Sequence, residues 1–86
     1  MNEMELDPVI VGRIIAKIRM TTGKSQEIIS GLPGIGRTHL SAIERGERKP
    51  TLETLYRLSL ALDTKMSTIV IEIEKEIERS ENTLHL

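Results

Sequence analysis

The sequence predicts an all-α fold, a compact bundle of five short helices, and three observations carry that expectation. Aliphatic residues recur at three- and four-residue spacing in several segments, as on the buried stripe of a helix. Helix starts and stops punctuate those segments at Asp7-Pro8, Ser25, Gly46 and Pro50-Thr51. Tyr56 is the one aromatic residue and there is no cysteine, so the core must be Ile, Leu, Val and Met without disulfides. Eighty-six residues make one domain, expected over 1–86 with its core in 8–65. A chain this short buries only about 60% of its unfolded surface, so dimerisation would reinforce a marginal core.

Residues 1–6 are expected to be loose. Asp7 is a good N-cap and Pro8 a good first helical residue, so a first helix should run from Pro8 to Thr22 and end at Gly23. Ile10, Val11, Ile14, Ile15 and Ile18 form its buried stripe, with Arg13 and Lys17 outside it. Ser25 can cap a second helix whose first turn is Gln26-Glu27-Ile28. Pro33 should end that helix at about Leu32, with Leu32 or Ile35 reaching the core.

A third helix is expected over about 36–45, with Gly36 as a weak N-cap. Leu40 and Ile43 fall on its inner face, and Arg37, Thr38, Ser41 and Ala42 on the opposite side. Gly46 stops it as a C′ residue, and Pro50 forbids continuation. Arg45, Arg48 and Lys49 make the loop between them basic. Thr51 caps a fourth helix, with Leu52, Leu55, Leu58 and Leu62 facing the core and Tyr56 and Arg57 at the surface. Asp63-Thr64-Lys65 reads as a turn.

The stretch Ile69-Val70-Ile71-Glu72-Ile73-Glu74 alternates like a strand, yet Ile69, Ile73 and Ile77 share one helical face. An isolated strand would have no partner in a helical chain. The expectation is therefore a helix from about Thr68 to Arg79, capped by Ser67, within a C-terminal segment spanning 67–80. Its apolar surface exceeds what one small bundle needs. Val70, Ile71, Ile73 and Ile77 are candidates for a dimer interface; the alternative is that the segment only caps the core.

The net charge of −1 hides an uneven distribution. Residues 12–50 hold eight Lys/Arg against three Glu, between acidic ends that each carry −3. A basic middle is compatible with a nucleic-acid footprint on one face, and equally with a solvated surface. No apolar run approaches ~20 residues, so no membrane span is expected. The acidic start (Glu3, Glu5, Asp7) is wrong for a signal peptide, which points to a cytoplasmic protein.

Catalytic and cofactor chemistry finds no footing. His39 and His85 are far apart, and without cysteine there is no usual tetrahedral metal set. Gly31, Gly34 and Gly36 sit between helices, so they are not a phosphate loop after a strand. No nucleophile, base and orienting group come together. No enzyme, cofactor, metal or small-molecule ligand is expected.

From Ile14 to Leu62 the chain resembles the phage-repressor/Cro-type (XRE-like) helix-turn-helix family, whose domain is lambda-repressor-like. The resemblance rests on Ile18-Arg19, Ser25-Gln26-Glu27, Gly34-Ile35, Arg37-Thr38, the run Leu40 to Gly46, Pro50 to Leu55, and Ala61-Leu62. It implies a homodimeric transcriptional regulator that binds a double-stranded DNA operator sequence-specifically, with the third helix in the major groove. It further implies that Arg37, Thr38, Ser41 and Ala42 face bases, and that Gln26, Arg45, Arg48 and Lys49 hold phosphates. Arg19 and Glu44 match a family pair that ties the first helix to the third. The chain departs from the family pattern at Ser30, Pro33 and Gly36, where Ala, Leu and Ser or Thr are usual, and the tilt of the third helix depends on that turn. The alternative function is a protein-interaction module, an antitoxin or adaptor working through its C-terminal helix. Phage repressor, restriction-modification controller and mobile-element regulator are also compatible with this length.

Overall fold

The first helix sets the frame. In a computed structural model that describes residues 4–31 and 34–84, α1 spans Pro8–Thr22. Expectations placed on residues 1–3, Leu32, Pro33 and His85 lie outside the described residues. Asp7 Oδ1 accepts from the Val9 N–H at 2.9 Å, and Gly23 closes the helix at φ 73°, its N–H donating to the Met20 carbonyl. Both signals that bounded this helix in the sequence act as caps. Val11, Ile14 and Ile15 are buried, whereas Ile10 and Ile18 at the edges of the stripe are half-buried.

Gly12 also lies in the buried face of α1. A Cβ there would sit 2.2 Å from the Ile43 carbonyl oxygen and 2.9 Å from that of Glu44. The missing side chain therefore lets α1 touch the backbone end of α3, which spans Arg37–Glu44. Between them in the chain comes α2 (Gln26–Gly31), whose Ile28 N–H donates to Ser25 Oγ at 3.3 Å. The α2–α3 turn closes on one acceptor, the Ser30 carbonyl, which receives the Ile35 and Gly36 N–H groups at 3.1 and 3.5 Å. Ser30 is buried, and Ile35 packs partly buried against the core.

The end of α3 is a Schellman closure. Gly46 (φ 79°) donates its N–H to the Ile43 carbonyl at 3.0 Å, and Glu47 donates to that of Ala42 at 2.9 Å. Helix α4 spans Leu52–Ala61, with Thr51 Oγ1 accepting from the Thr54 N–H at 3.1 Å. Leu55, Leu58 and Leu62 enter the core, but Leu52 does not and is 74% exposed. Leu52 is the first residue of the helix, and its side chain stays at the surface while Leu55 in the same turn is buried.

The C-terminal segment is a helix, α5, spanning Met66–Leu84. It starts before Ser67 and outlasts Arg79, so Ser67 lies within its first turn and is not its cap. Asp63, in the left-handed region at φ 53°, turns the chain directly from α4 into it. Pairs of opposite charge three residues apart, Glu72–Lys75 and Glu76–Arg79, run along it, and Glu76, largely covered, also lies 3.6 Å from Arg13 of α1. Ile69 and Ile73 are buried and Ile77 partly so, and α5 packs on α1 and α4. The strand-like alternation loses because the helical face alone reaches the core. No helix among the described residues is long and apolar enough to cross a membrane.

Candidate nucleic-acid interface

The inner face of α3 decides what its outer face can present. Leu40 and Ile43 are fully buried, which turns Arg37, Thr38 and Ser41 outward. With Arg45 they line one shallow polar groove. Ala42 does not join them. It is only 8% exposed, at the end of α3 where Glu47 returns to its carbonyl. The expected outer face thus loses its apolar member and keeps its three hydrogen-bonding members. Arg37 and Thr38 are exposed, and His39 is half-buried beside them.

Helix α3 is fixed from behind by a buried ionic joint. Arg19 on α1 donates from Nε to Glu44 Oε2 at 2.7 Å and from Nη2 to Oε1 at 2.9 Å. The two side chains are 16% and 6% exposed, so water screens the pair little. The Glu44 hydrogen bonds hold the Arg19 guanidinium protonated more firmly than usual, against the opposing effect of burial. Arg19 Nη1 also donates to the Lys24 carbonyl at 3.0 Å, so the same side chain anchors the loop before α2. Gln26 adds a third donor to the joint, its Nε2 lying 2.9 Å from Glu44 Oε1. A carboxylate only accepts, so the Gln26 amide must turn its nitrogen inward. One N–H and the carbonyl of that amide remain for other partners. One carboxylate therefore connects α1, α2 and α3.

The basic loop beyond α3 divides. Arg45 is engaged: Nε and Nη2 donate to Glu47 at 2.6 and 3.1 Å, and Nη1 donates to Ser41 Oγ. The contact raises the Arg45 pKa and holds the Glu47 carboxyl below its usual value, in each case chiefly through the hydrogen bonds between them. Arg48 and Lys49 are exposed and form no ion pair among the described residues. Gln26, Arg45, Arg48 and Lys49 are thus all at or near the surface in different states: one oriented by a buried acid, one clasped by an exposed acid, two unpaired.

Among the described residues no three His, Asp or Glu side chains converge to hold a metal ion. On α5 the apolar residues separate. Val70 and Ile71 are 41% and 48% exposed, but Ile73 belongs to the core and Ile77 packs against it. An exposed contact can therefore use Val70 and Ile71, and Ile73 only at the expense of the bundle. Two residues of consequence gave no sequence signal of their role: Gly12, a mid-helix glycine, and Glu47, an acid within the basic loop.

Residues 15–69 match the family model for the Helix-turn-helix family HTH_3. The chain belongs to that family. It is 42% identical over 53 residues to the HTH-type transcriptional regulator y4dJ of Sinorhizobium fredii (strain NBRC 101917 / NGR234), covering 62% of this chain and 69% of that one. The crystal structure of the restriction-modification controller protein C.AhdI from Aeromonas hydrophila matches with a TM-score of 0.71 and 31% identity, over 76% of this chain and 98% of that chain. The controller protein C.Esp1396I, solved as a tetramer in complex with its natural 35 base-pair operator, matches with a TM-score of 0.77 and 29% identity, over 85% of this chain and 96% of that chain. The HTH_3 match spans α1 from Ile15, the α2–turn–α3 unit, α4 and the first turn of α5, and so includes the Arg19–Glu44 joint.

Proposed function

We propose that this protein is a transcriptional regulator that binds double-stranded DNA sequence-specifically, as a cytoplasmic homodimer with α3 in the major groove. The observation that carries it is the polar outer face of α3, with Arg37, Thr38 and Ser41 outward and, just beyond it, Arg48 and Lys49, which form no ion pair among the described residues. A major groove admits a helix, and its base edges need donors and acceptors of these kinds. The cations after the helix suit the phosphates that flank a groove. C.Esp1396I, bound to its operator, supports the same use of the fold. The chemistry is binding and not catalysis, so the reading needs no cofactor.

Several phosphate contacts per dimer make affinity fall steeply with salt, by about a thousandfold or more between ~50 and ~200 mM. Titrating salt against binding to random duplex tests this, because an antitoxin or adaptor acting through an apolar face would show a flat response. Dimerisation is assigned to the exposed part of α5. Charged replacements at Val70 and Ile71 are expected to yield folded monomers in sedimentation, and a folded variant that stays dimeric would place the contact elsewhere.

A further inference from the structure

We propose that Glu47 is a positioning residue for base discrimination, acting through Arg45 to make the Ser41 hydroxyl an outward donor toward an acceptor edge in the major groove. This rests on the DNA-binding reading above and adds a specific residue to it. Four hydroxyls elsewhere in the chain donate back into their own helices: Thr21 to the Ile18 carbonyl and Thr22 to that of Arg19, each at 2.6 Å, Ser30 to Glu27 at 3.4 Å, and Ser59 to Tyr56 at 2.6 Å. Ser41 does none of this. Its oxygen accepts from Arg45 Nη1, and its own hydrogen meets no acceptor among the described residues.

The direction of that contact matters. A guanidinium only donates, so Arg45 can approach Ser41 solely at a lone pair. The hydroxyl hydrogen then points off the guanidinium and is free to turn into the groove that Ser41 lines with Arg37, Thr38 and Arg45. An unconstrained serine can donate or accept, and so distinguishes base edges poorly. A serine with a lone pair occupied by a cation is biased toward donation. Purine N7, guanine O6 and thymine O4 are the major-groove acceptors it would select, while the amino groups of adenine and cytosine would be disfavoured.

Arg45 can play this part because Glu47 holds it. Two guanidinium N–H groups go to the Glu47 carboxylate, and Nη1 is thereby directed back along α3 to Ser41. The spacing follows from the helix end: Gly46 in the left-handed region places Glu47 beside the Arg45 side chain. Two of the five guanidinium donors remain free, so the clasp does not prevent Arg45 from also meeting a phosphate. An acid beside the expected phosphate contacts weakens general DNA affinity. That cost is explained if the acid contributes selectivity.

The test uses a duplex selected by the wild-type protein from a random library, with a scrambled duplex as control. Glu47→Ala should bind the scrambled duplex more tightly, having lost a negative charge, while its preference for the selected duplex falls by roughly three- to tenfold, the scale of one hydrogen bond. Ser41→Ala should lose the same preference, and Glu47→Ala added to it should lose no more. A 7-deazapurine at the contacted position should weaken wild type and leave Glu47→Ala nearly unaffected if N7 is the acceptor. Equal tightening on both duplexes would overturn the proposal, leaving Glu47 as a simple repulsive charge. Equal weakening on both would overturn it in favour of a structural role, and circular dichroism melting of Glu47→Ala would show that loss directly. A wild-type protein with no preference for any duplex would instead refute the DNA-binding reading itself.

Discussion

Glu44 and Arg45 are adjacent, and each belongs to a two-pronged carboxylate–guanidinium pair at the end of α3, yet the two pairs do different work. Arg19–Glu44 is enclosed, with a Gln26 amide and the Lys24 carbonyl completing it. Arg45–Glu47 stands in solvent, both side chains more than half exposed. The chemistry is the same and the surroundings differ. Out of water, an ion pair that loses one member leaves a charge the protein cannot solvate. In water, the released charge is simply hydrated. The enclosed pair is therefore scaffold, and the exposed pair is free to take part in recognition.

The largest expected effect removes the enclosed acid. Glu44→Ala should destabilise the fold by about 3 kcal/mol, because it strands Arg19 and removes the acceptor for Gln26. A denaturant midpoint shifted by less than about 1 kcal/mol in free energy would show that the pair behaves as a surface pair. Next is the contact that brings the same joint together. Gly12→Ala gains roughly 1 kcal/mol of helix propensity. It also drives a methyl into two α3 carbonyls at 2.2 and 2.9 Å, and neither belongs to a flexible side chain that could move aside. Overpacking of this kind costs about 1–3 kcal/mol, so net destabilisation is expected, and a more stable Gly12→Ala variant would show that α1 and α3 are not pressed together there.

The exposed pair should respond least. Glu47→Ala is expected to leave the thermal midpoint at neutral pH unchanged within error. Its pH dependence has a definite sign. The Glu47 carboxyl titrates below its usual value, so whatever the contact contributes is present above the ordinary glutamate range and lost as pH falls through the depressed folded value. A clasp that opened between pH 6 and 8, seen as a change in the Glu47 carboxyl chemical shift, would contradict that direction.

These two pairs were not equally legible in the sequence. Helix α1 could be bounded to the residue because Asp7, Pro8 and Gly23 each have a specific local chemistry that tertiary structure did not override. The same holds for Gly46 at the end of α3. The Arg19–Glu44 match came through family resemblance, since residues 25 apart carry no local signal of contact. What sequence spacing could not supply was the position of a surface relative to its neighbours. Ala42 falls on the outer side of α3 by periodicity but is covered, and Leu52 falls on the inner side of α4 but is bare. On α5, spacing already put Ile73 on one face with Ile69 and Ile77, but only packing against α1 and α4 shows that this face is the core and that Val70 and Ile71 lie outside it. Gly12 is invisible for the opposite reason: its importance lies in an atom it lacks.

In the proposed function, α3 reads base sequence through its exposed face. Arg37, exposed at the start of that helix, can bond guanine O6 and N7 together, a contact worth roughly 1–3 kcal/mol of discrimination. Lys49 lies in the loop after the helix, where the phosphate backbone is the expected partner. The most direct measurement is binding of wild type, Arg37→Ala and Lys49→Ala to a selected operator and to scrambled duplex at two salt concentrations. Arg37→Ala should lose about five- to a hundredfold on the operator and far less on scrambled DNA. Lys49→Ala should weaken both duplexes by a similar factor and lower the salt slope by about one. Equal proportional losses for Arg37→Ala on the two duplexes would contradict the account, because Arg37 would then be gripping the backbone without reading the bases.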